Sequence, residues 1–133
     1  MRYFAIIFAI FLVAFLIPYT FAKAHQPNPD SIPFAPAVNY SVGTSPVSIF
    51  CADLDGDGDL DLAVANYMSD SVSILKNNGD GTFQSAVNYE VGNHPWSVFC
   101  ADLDGDGDLD LAVANAGDND VSILKNNGDG TFQ

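Results

Sequence analysis

The chain has 133 residues and carries 17 acidic against 4 basic side chains, a formal net charge of −13. This length allows at most one modest domain. We expect no nucleic-acid partner, because phosphate binding needs clustered lysine and arginine, and attachment to an anionic lipid surface is disfavoured for the same reason.

The first 24 residues have the pattern of a secretory signal peptide. One positive charge precedes an apolar run over residues 4–17, and Ala22 and Ala24 provide small residues for cleavage. The alternative is an uncleaved anchor, since the apolar stretch is almost long enough to cross a bilayer. We therefore expect a secreted or cell-surface protein with no membrane contact beyond this segment. Residues 25–33 are predicted to be a proline-rich linker.

The rest of the chain is an internal repeat. Features recur 49 positions later, as these pairs show: Phe34 and Phe83, Cys51 and Cys100, Asn77 and Asn126. We assign one repeat to residues 34–82 and a second, with the start of a third, to residues 83–133. Equivalent positions on neighbouring repeats are usually too far apart for a disulfide. The two cysteines are therefore predicted to be buried and unpaired.

Each repeat is predicted to form four short strands. In the first blade they cover residues 46–53, 61–66, 71–76 and 83–91, so the fourth strand comes from the start of the second repeat. The first repeat itself begins with another strand of the fourth type, over residues 34–42. Both faces of these strands carry apolar or small residues, so each sheet should be covered on both sides. A four-stranded unit that cannot bury itself is typical of a propeller blade. The predicted fold is all-β, with two four-stranded antiparallel propeller blades in a partial or oligomer-completed propeller.

An acidic motif, DLDGDGDLDLAVAN, occurs at residues 53–66 and again at residues 102–115. Its aspartates repel one another unless a cation lies among them, and the spacing D-x-D-x-D-G-x-x-D suits the oxygen ligands of Ca²⁺. Asp59 and Asp108 are expected to offer their backbone carbonyls, with their side chains in solvent. Leu54 and Leu60 are expected to pin the first loop to the core. The predicted metal ligands are Asp53, Asp55, Asp57, Asp59 and Asp61 in the first repeat and Asp102, Asp104, Asp106, Asp108 and Asp110 in the second.

Other ions and loop types fit the motif less well. An EF-hand needs an acid at loop position 12, where this chain has Val64 or Val113. A transition metal favours histidine or thiolate ligands, and His25 and His94 lie outside both loops. Mg²⁺ demands a smaller, more rigid octahedron. The remaining alternative is a solvated acidic turn that holds no ion.

The acidic motif followed by SILKNNGDGTF resembles the FG-GAP repeat, in the variant often called the VCBS-type repeat. The resemblance covers residues 34–133 and implies blades of the β-propeller found in integrin α subunits, with calcium at the aspartates given above. It implies an extracellular module that binds protein or glycan ligands, as in adhesion; the alternative is an accessory repeat of a larger secreted hydrolase or lyase. A closed propeller has about four to eight blades. We therefore expect either a homo-oligomer or a parent chain with further blades.

No catalytic set is predicted. The serines have no repeated histidine partner, no G-x-S-x-G motif occurs, and calcium would occupy the loop carboxylates. We therefore expect no enzyme activity. The aromatic residues are expected to pack between blades rather than to form a ligand platform. These residues are Tyr67, Tyr89, Trp96 and Phe99.

Overall fold

The structure is a computed structural model that describes residues 35–133. The predicted signal peptide and linker lie outside the described residues. The described part is built of seven strands, and no helix occurs in it, hence none that could cross a membrane. The all-β prediction is confirmed.

The first sheet contains four antiparallel strands in chain order. They are β1 (Pro46–Ala52), β2 (Asp61–Asn66), β3 (Ser71–Leu75) and β4 (Val87–Glu90). The predicted bounds of β1 to β3 agree within a residue. The fourth strand is shorter than predicted, because Phe83 makes only an isolated bridge to Asn77 before β4 begins.

The second sheet contains three antiparallel strands. They are β5 (Pro95–Ala101), β6 (Asp110–Asn115) and β7 (Asp120–Leu124). This sheet has three strands rather than the four of a full blade, which agrees with the predicted partial propeller: within residues 35–133 nothing pairs with the outer edge of β7. The first sheet takes its fourth strand from the start of the following repeat. The described part holds no equivalent segment after β7.

The predicted strand over residues 34–42 is also absent, since its described part, residues 35–42, has no strand structure. The reason is again the lack of a pairing partner, here for the segment that would be the fourth strand. A fourth-type strand needs the open edge of a preceding sheet, and within the described residues no such edge lies beside it. Without ladder hydrogen bonds, this segment is left irregular.

The core lies between the two sheets. Alternation along each strand turns one face of each sheet toward the other, as the period of two requires. Alanines on β2 let the second sheet approach closely. The first sheet contributes Ala52, Ala63, Ala65, Val72 and Ile74, and the second contributes Val98, Cys100, Leu111, Val113 and Leu124. This core covers only one face of each sheet.

The cysteines are free thiols, as predicted. Cys100 is buried, and burial, with a smaller effect of the neighbouring Cys51, raises the pKa of its thiol to about 12. The prediction of burial is wrong for Cys51, which is exposed. Cys51 belongs to the face of the first sheet that the core does not cover.

Candidate metal centre

The two acidic loops occupy equivalent places in the fold, one between β1 and β2 and the other between β5 and β6. Each loop turns sharply at two glycines in the left-handed region. In the first loop these are Gly56, with a φ of 76°, and Gly58, with a φ of 93°. Only glycine adopts this conformation without a steric cost, so the tight curl depends on both residues.

Three of the five predicted ligands converge in the first loop. Carboxylate oxygens of Asp53, Asp55 and Asp61 lie within 4.8 Å of one another. Two oxygens bound to one Ca²⁺ can be up to about 5 Å apart, because each Ca–O distance is about 2.5 Å. The cluster therefore has the dimensions of a single calcium site. Asp57 and Asp59 lie outside this group of three.

The second loop brings together a different set. Carboxylate oxygens of Asp102, Asp104 and Asp106 lie within 4.8 Å of one another, and all three side chains are exposed. Asp108 and Asp110 lie outside this group. The first two aspartates of the motif belong to the cluster in both loops. The last aspartate, Asp61, belongs to it only in the first loop, and its equivalent Asp110 does not.

The first aspartate of each loop organises the turn. The carboxylate of Asp53 accepts hydrogen bonds from the backbone N–H of Gly56 at 2.8 Å and of Gly58 at 3.0 Å. Asp102 repeats this arrangement with the two glycines of its own loop. An ionised carboxylate has about four acceptor sites, so these bonds leave capacity for a ligand ion.

The last aspartate of the first loop is a buried anchor. Asp61 accepts from the backbone N–H of Leu54 at 3.0 Å and of Asn77 at 2.8 Å, so it joins the loop to the turn after β3. Burial raises the pKa of its carboxyl group; the two hydrogen bonds oppose this shift, and the nearby charges of Asp55 and Asp57 add to it. A cation in the loop would offset both the burial and the repulsion. In the second loop Asp110 makes the equivalent two bonds.

The structure shows where four loop side chains lie. The carboxylate of Asp59 lies beside the following turn, since a Cβ added at Gly79 would lie 3.0 Å from it, and the side chain stays partly exposed. Asp108 has the same relation to Gly128. Leu54 is buried as predicted, but Leu60 is 58 % exposed and does not pin the loop.

The sequence analysis missed the role of the two lysines that precede the NNGDG turns. Lys76 Nζ lies 3.4 Å from Asp55 Oδ2, and Lys125 contacts Asp104 and, at 3.2 Å, Asp106. The bond to Asp104 is the main reason that the pKa of Lys125 is raised above its usual value. The sequence contained a signal for this role, since Lys76 and Lys125 are the only lysine or arginine residues after residue 24 and both end the segment SILK. Each ammonium group lies against carboxylates that a metal ion would need.

The first asparagine of each NNGDG turn was assigned only to a turn, but it also supports the acidic loops. Asn77 donates from its side chain to the carbonyl of Leu60 at 3.1 Å. Asn126 makes the equivalent bond to Leu109 and a second one, at 2.8 Å, to the carbonyl of Leu54 in the first loop. The two repeats are therefore linked at the base of the first acidic loop.

One atom of the first loop indicates what the site fits. Asp55 Oδ1 is buried and has no hydrogen-bond partner. A buried, unpaired oxygen of this kind is costly, by about 1–3 kcal/mol or more for a charged group. A hard cation would satisfy it, and the all-oxygen donor set matches the preference of Ca²⁺. The residues present therefore fit a calcium ion.

An exposed aromatic cluster lies away from the loops. The rings of Tyr67 and His94 stack at a centroid distance of 4.5 Å, and Trp96 meets Tyr67 edge-on at 5.9 Å. Phe99 likewise meets Phe50 of the first sheet edge-on at 5.0 Å, so both rings contact the other repeat, as predicted. Neither ring is buried, however, since Trp96 is 61 % exposed and Phe99 is 56 % exposed. The prediction also holds for Tyr89, which is half-buried against Phe132.

Comparison with known families gives one result. A model of FG-GAP-like repeats matches residues 53–113 and again residues 102–133. Both matches begin at the first aspartate of an acidic loop, one repeat apart. No curated protein and no solved structure matches the chain.

Proposed function

The chain belongs to the family of FG-GAP-like repeat proteins, and from this membership we propose that it is a secreted or cell-surface, calcium-binding propeller-repeat module. In this proposal it binds a protein or glycan ligand, as adhesion modules do, and catalyses no reaction. Calcium acts as a structural ion that stabilises the loops between β1 and β2 and between β5 and β6.

The observation that carries the calcium proposal is the unpaired Asp55 Oδ1 within a group of three converging carboxylates. The ion would supply the charge compensation that the loop lacks. Because the cluster forms only when β1 and β2 are paired, ion binding adds to the free energy of folding. The chain's own groups do the rest: Asp53 curls the loop, and Asp61 anchors it.

The aromatic cluster supports a ligand-binding role. Tyr67, His94 and Trp96 form a contiguous group in which the largest ring is mostly exposed. Tryptophan and tyrosine are enriched among the residues that dominate binding energy at protein interfaces. The apolar leader supports an extracellular location for this surface.

Calcium titration by isothermal calorimetry tests the metal proposal. We expect two ions per chain, falling to one in Asp55→Asn and to one in Asp104→Asn. Asp80→Asn is the matched control, because Asp80 lies in the turn after β3 and bonds Thr82 rather than the acidic loops. Absence of binding, or binding that neither loop variant alters, would overturn the proposal.

Binding to an array of extracellular-matrix proteins and glycans, with calcium and with chelator, tests the ligand proposal. We expect calcium-dependent binding that Trp96→Ala abolishes and that Trp96→Phe, which keeps an exposed ring, largely retains. If no component of the array binds in calcium, the ligand-binding proposal is wrong, whatever the calorimetry shows.

A further inference from the structure

Each sheet has one face on which apolar side chains are exposed. On the second sheet we define the Val121 face by its exposed residues, Phe99, Leu103, Val121 and Ile123. Val121 is 59 % and Ile123 is 56 % exposed, whereas the equivalent residues of the first repeat, Val72 and Ile74, are 0 % and 2 % exposed. The same positions are therefore core in one repeat and surface in the other.

The first sheet shows the reverse relation. We define its Ile49 face by Val47, Ile49 and Cys51. Ile49 is 59 % exposed, whereas its equivalent in the second repeat, Val98, is 4 % exposed. Val98 is buried because the first sheet packs against it.

The two exposed faces are thus the two halves of one interface. Inside the chain, the face of Val72 and Ile74 packs on the face of Val98 and Cys100. The Val121 face repeats the first half, and the Ile49 face repeats the second. A molecule that carries the two halves of a well-packed interface on opposite sides is complementary to another copy of itself in a head-to-tail arrangement.

The open edge of β7 has its own complement in the chain. Val38-Asn39-Tyr40 is identical to Val87-Asn88-Tyr89, which forms most of β4. In the first sheet β4 pairs with β3, with Ser73 opposite Asn88 and Val72 opposite Tyr89. The segment at residues 38–41 has the sequence of a fourth strand but has no third strand beside it among the described residues.

This segment already has the position that such a strand would need. Tyr40 packs edge-on against Phe83 at 5.4 Å and 83°, as Tyr89 packs against Phe132 at 5.5 Å and 81°. The hydrogen bond from Gly43 N to Ser73 Oγ, 3.1 Å, likewise repeats the bond from Gly92 to Ser122 at 3.2 Å. An open cleft of about 490 Å³ lies between the segment and the Ile49 face. Among the described residues the segment is therefore placed as β4 is, but no third strand pairs with it.

We propose that a second copy of this chain supplies that strand. Its β5–β7 sheet packs its Val121 face on the Ile49 face of the first copy. The open edge of its β7 pairs with residues 38–41, with Ser122 opposite Asn39 and Val121 opposite Tyr40. Repetition of this contact closes a ring if the rotation per copy permits, and two to four copies would give the four to eight blades of known propellers. The inference goes beyond the proposed function and does not depend on the identity of the ion.

The mass in solution is the first test. The chain is expressed with its own leader, purified in calcium and analysed by sedimentation equilibrium. We expect a defined assembly of two to four copies, and dissociation to monomer in Ile123→Lys. The matched control is Met68→Lys, because Met68 is 61 % exposed but lies in the turn between β2 and β3, on neither face. A monomer at all soluble concentrations, or equal effects of the two lysine variants, would overturn the proposal.

Two further readouts test the register without relying on mass. Ser73 and Asn88 side chains are in contact at 2.6 Å. Cysteines at Asn39 and Ser122, in a Cys51→Ala background, should therefore form a disulfide between copies, whereas cysteines at Asn39 and Val121 should not. In the unsubstituted chain Cys51 should be as protected from a thiol reagent as Cys100. An assembly in which Cys51 reacts freely and no in-register disulfide forms would rule out this mode of docking.

Discussion

Replacing Asp61 by asparagine removes one of the two acceptor oxygens of the buried anchor. Asp61 is 0 % exposed and accepts from two backbone N–H groups, at 3.0 Å and 2.8 Å. The carboxamide can accept one of these bonds, and its NH₂ group faces the other donor. A buried donor left unpaired costs about 1–3 kcal/mol. Asp61→Asn should lose this amount in addition to any loss of metal affinity.

The control that separates the two effects is Asp57→Asn. Asp57 is exposed and accepts, through one oxygen, from the backbone N–H of Asp59, a bond that asparagine can keep. Urea denaturation in the presence of chelator, where metal affinity does not contribute, followed by circular dichroism, should therefore place Asp61→Asn about 1–3 kcal/mol below Asp57→Asn. Equal free energies of unfolding for the two variants would refute the assignment of Asp61 as a structural anchor.

Three further predictions concern the lysines, the turns and the close contacts. Lys76→Met should raise calcium affinity at the first loop a few-fold, because an ammonium group no longer competes for the loop carboxylates; weaker binding by calorimetry would contradict this. The Thr131 hydroxyl is the main cause that holds the pKa of Asp129 below its ordinary value of 3.8. A carboxylate with a lowered pKa stabilises the fold above its ordinary pKa, and this effect is lost as the pH falls through the lowered value. Thr131→Val should therefore reduce stability slightly at pH 7, and its urea midpoint should converge with that of the wild type in acid. A difference between the two midpoints that does not change with pH would exclude this mechanism. Gly92→Ala should cost about 1–3 kcal/mol by thermal denaturation, because the added Cβ would lie 2.5 Å from the buried Asn115 side chain; an unchanged melting temperature would mean that the contact relaxes freely.

Much of the fold could be predicted because the repeat gives the same information twice. Alternation in PVSIFCA and DLAVAN predicted β1 and β2 within a residue of their observed bounds, and the 49-residue repeat gives β5 and β6 the equivalent positions. The number of strands in the second sheet could not be obtained in this way. A fourth strand depends on which segment reaches the edge of β7, and this is a matter of long-range pairing rather than of local pattern.

In the candidate site, too, local spacing predicted some features, whereas others depend on long-range packing. The spacing of the aspartates predicted a loop with five ligands, and carboxylates of three of them, Asp53, Asp55 and Asp61, lie together in the first loop. It could not predict that Asp61 turns its oxygens to the backbone of Leu54 and Asn77, since this depends on where the following turn packs. Nor could periodicity predict that Trp96 and Phe99 are exposed, because burial on a sheet face depends on what packs against it.

Anomalous diffraction from crystals grown in calcium and soaked in a lanthanide would test the calcium proposal most directly. The proposal predicts one strong peak in each acidic loop, surrounded by the oxygens of Asp53, Asp55 and Asp61 in the first and of Asp102, Asp104 and Asp106 in the second. Lys76 and Lys125 should have moved away from these carboxylates. Loops without a peak, with both lysines still against the aspartates, would contradict it.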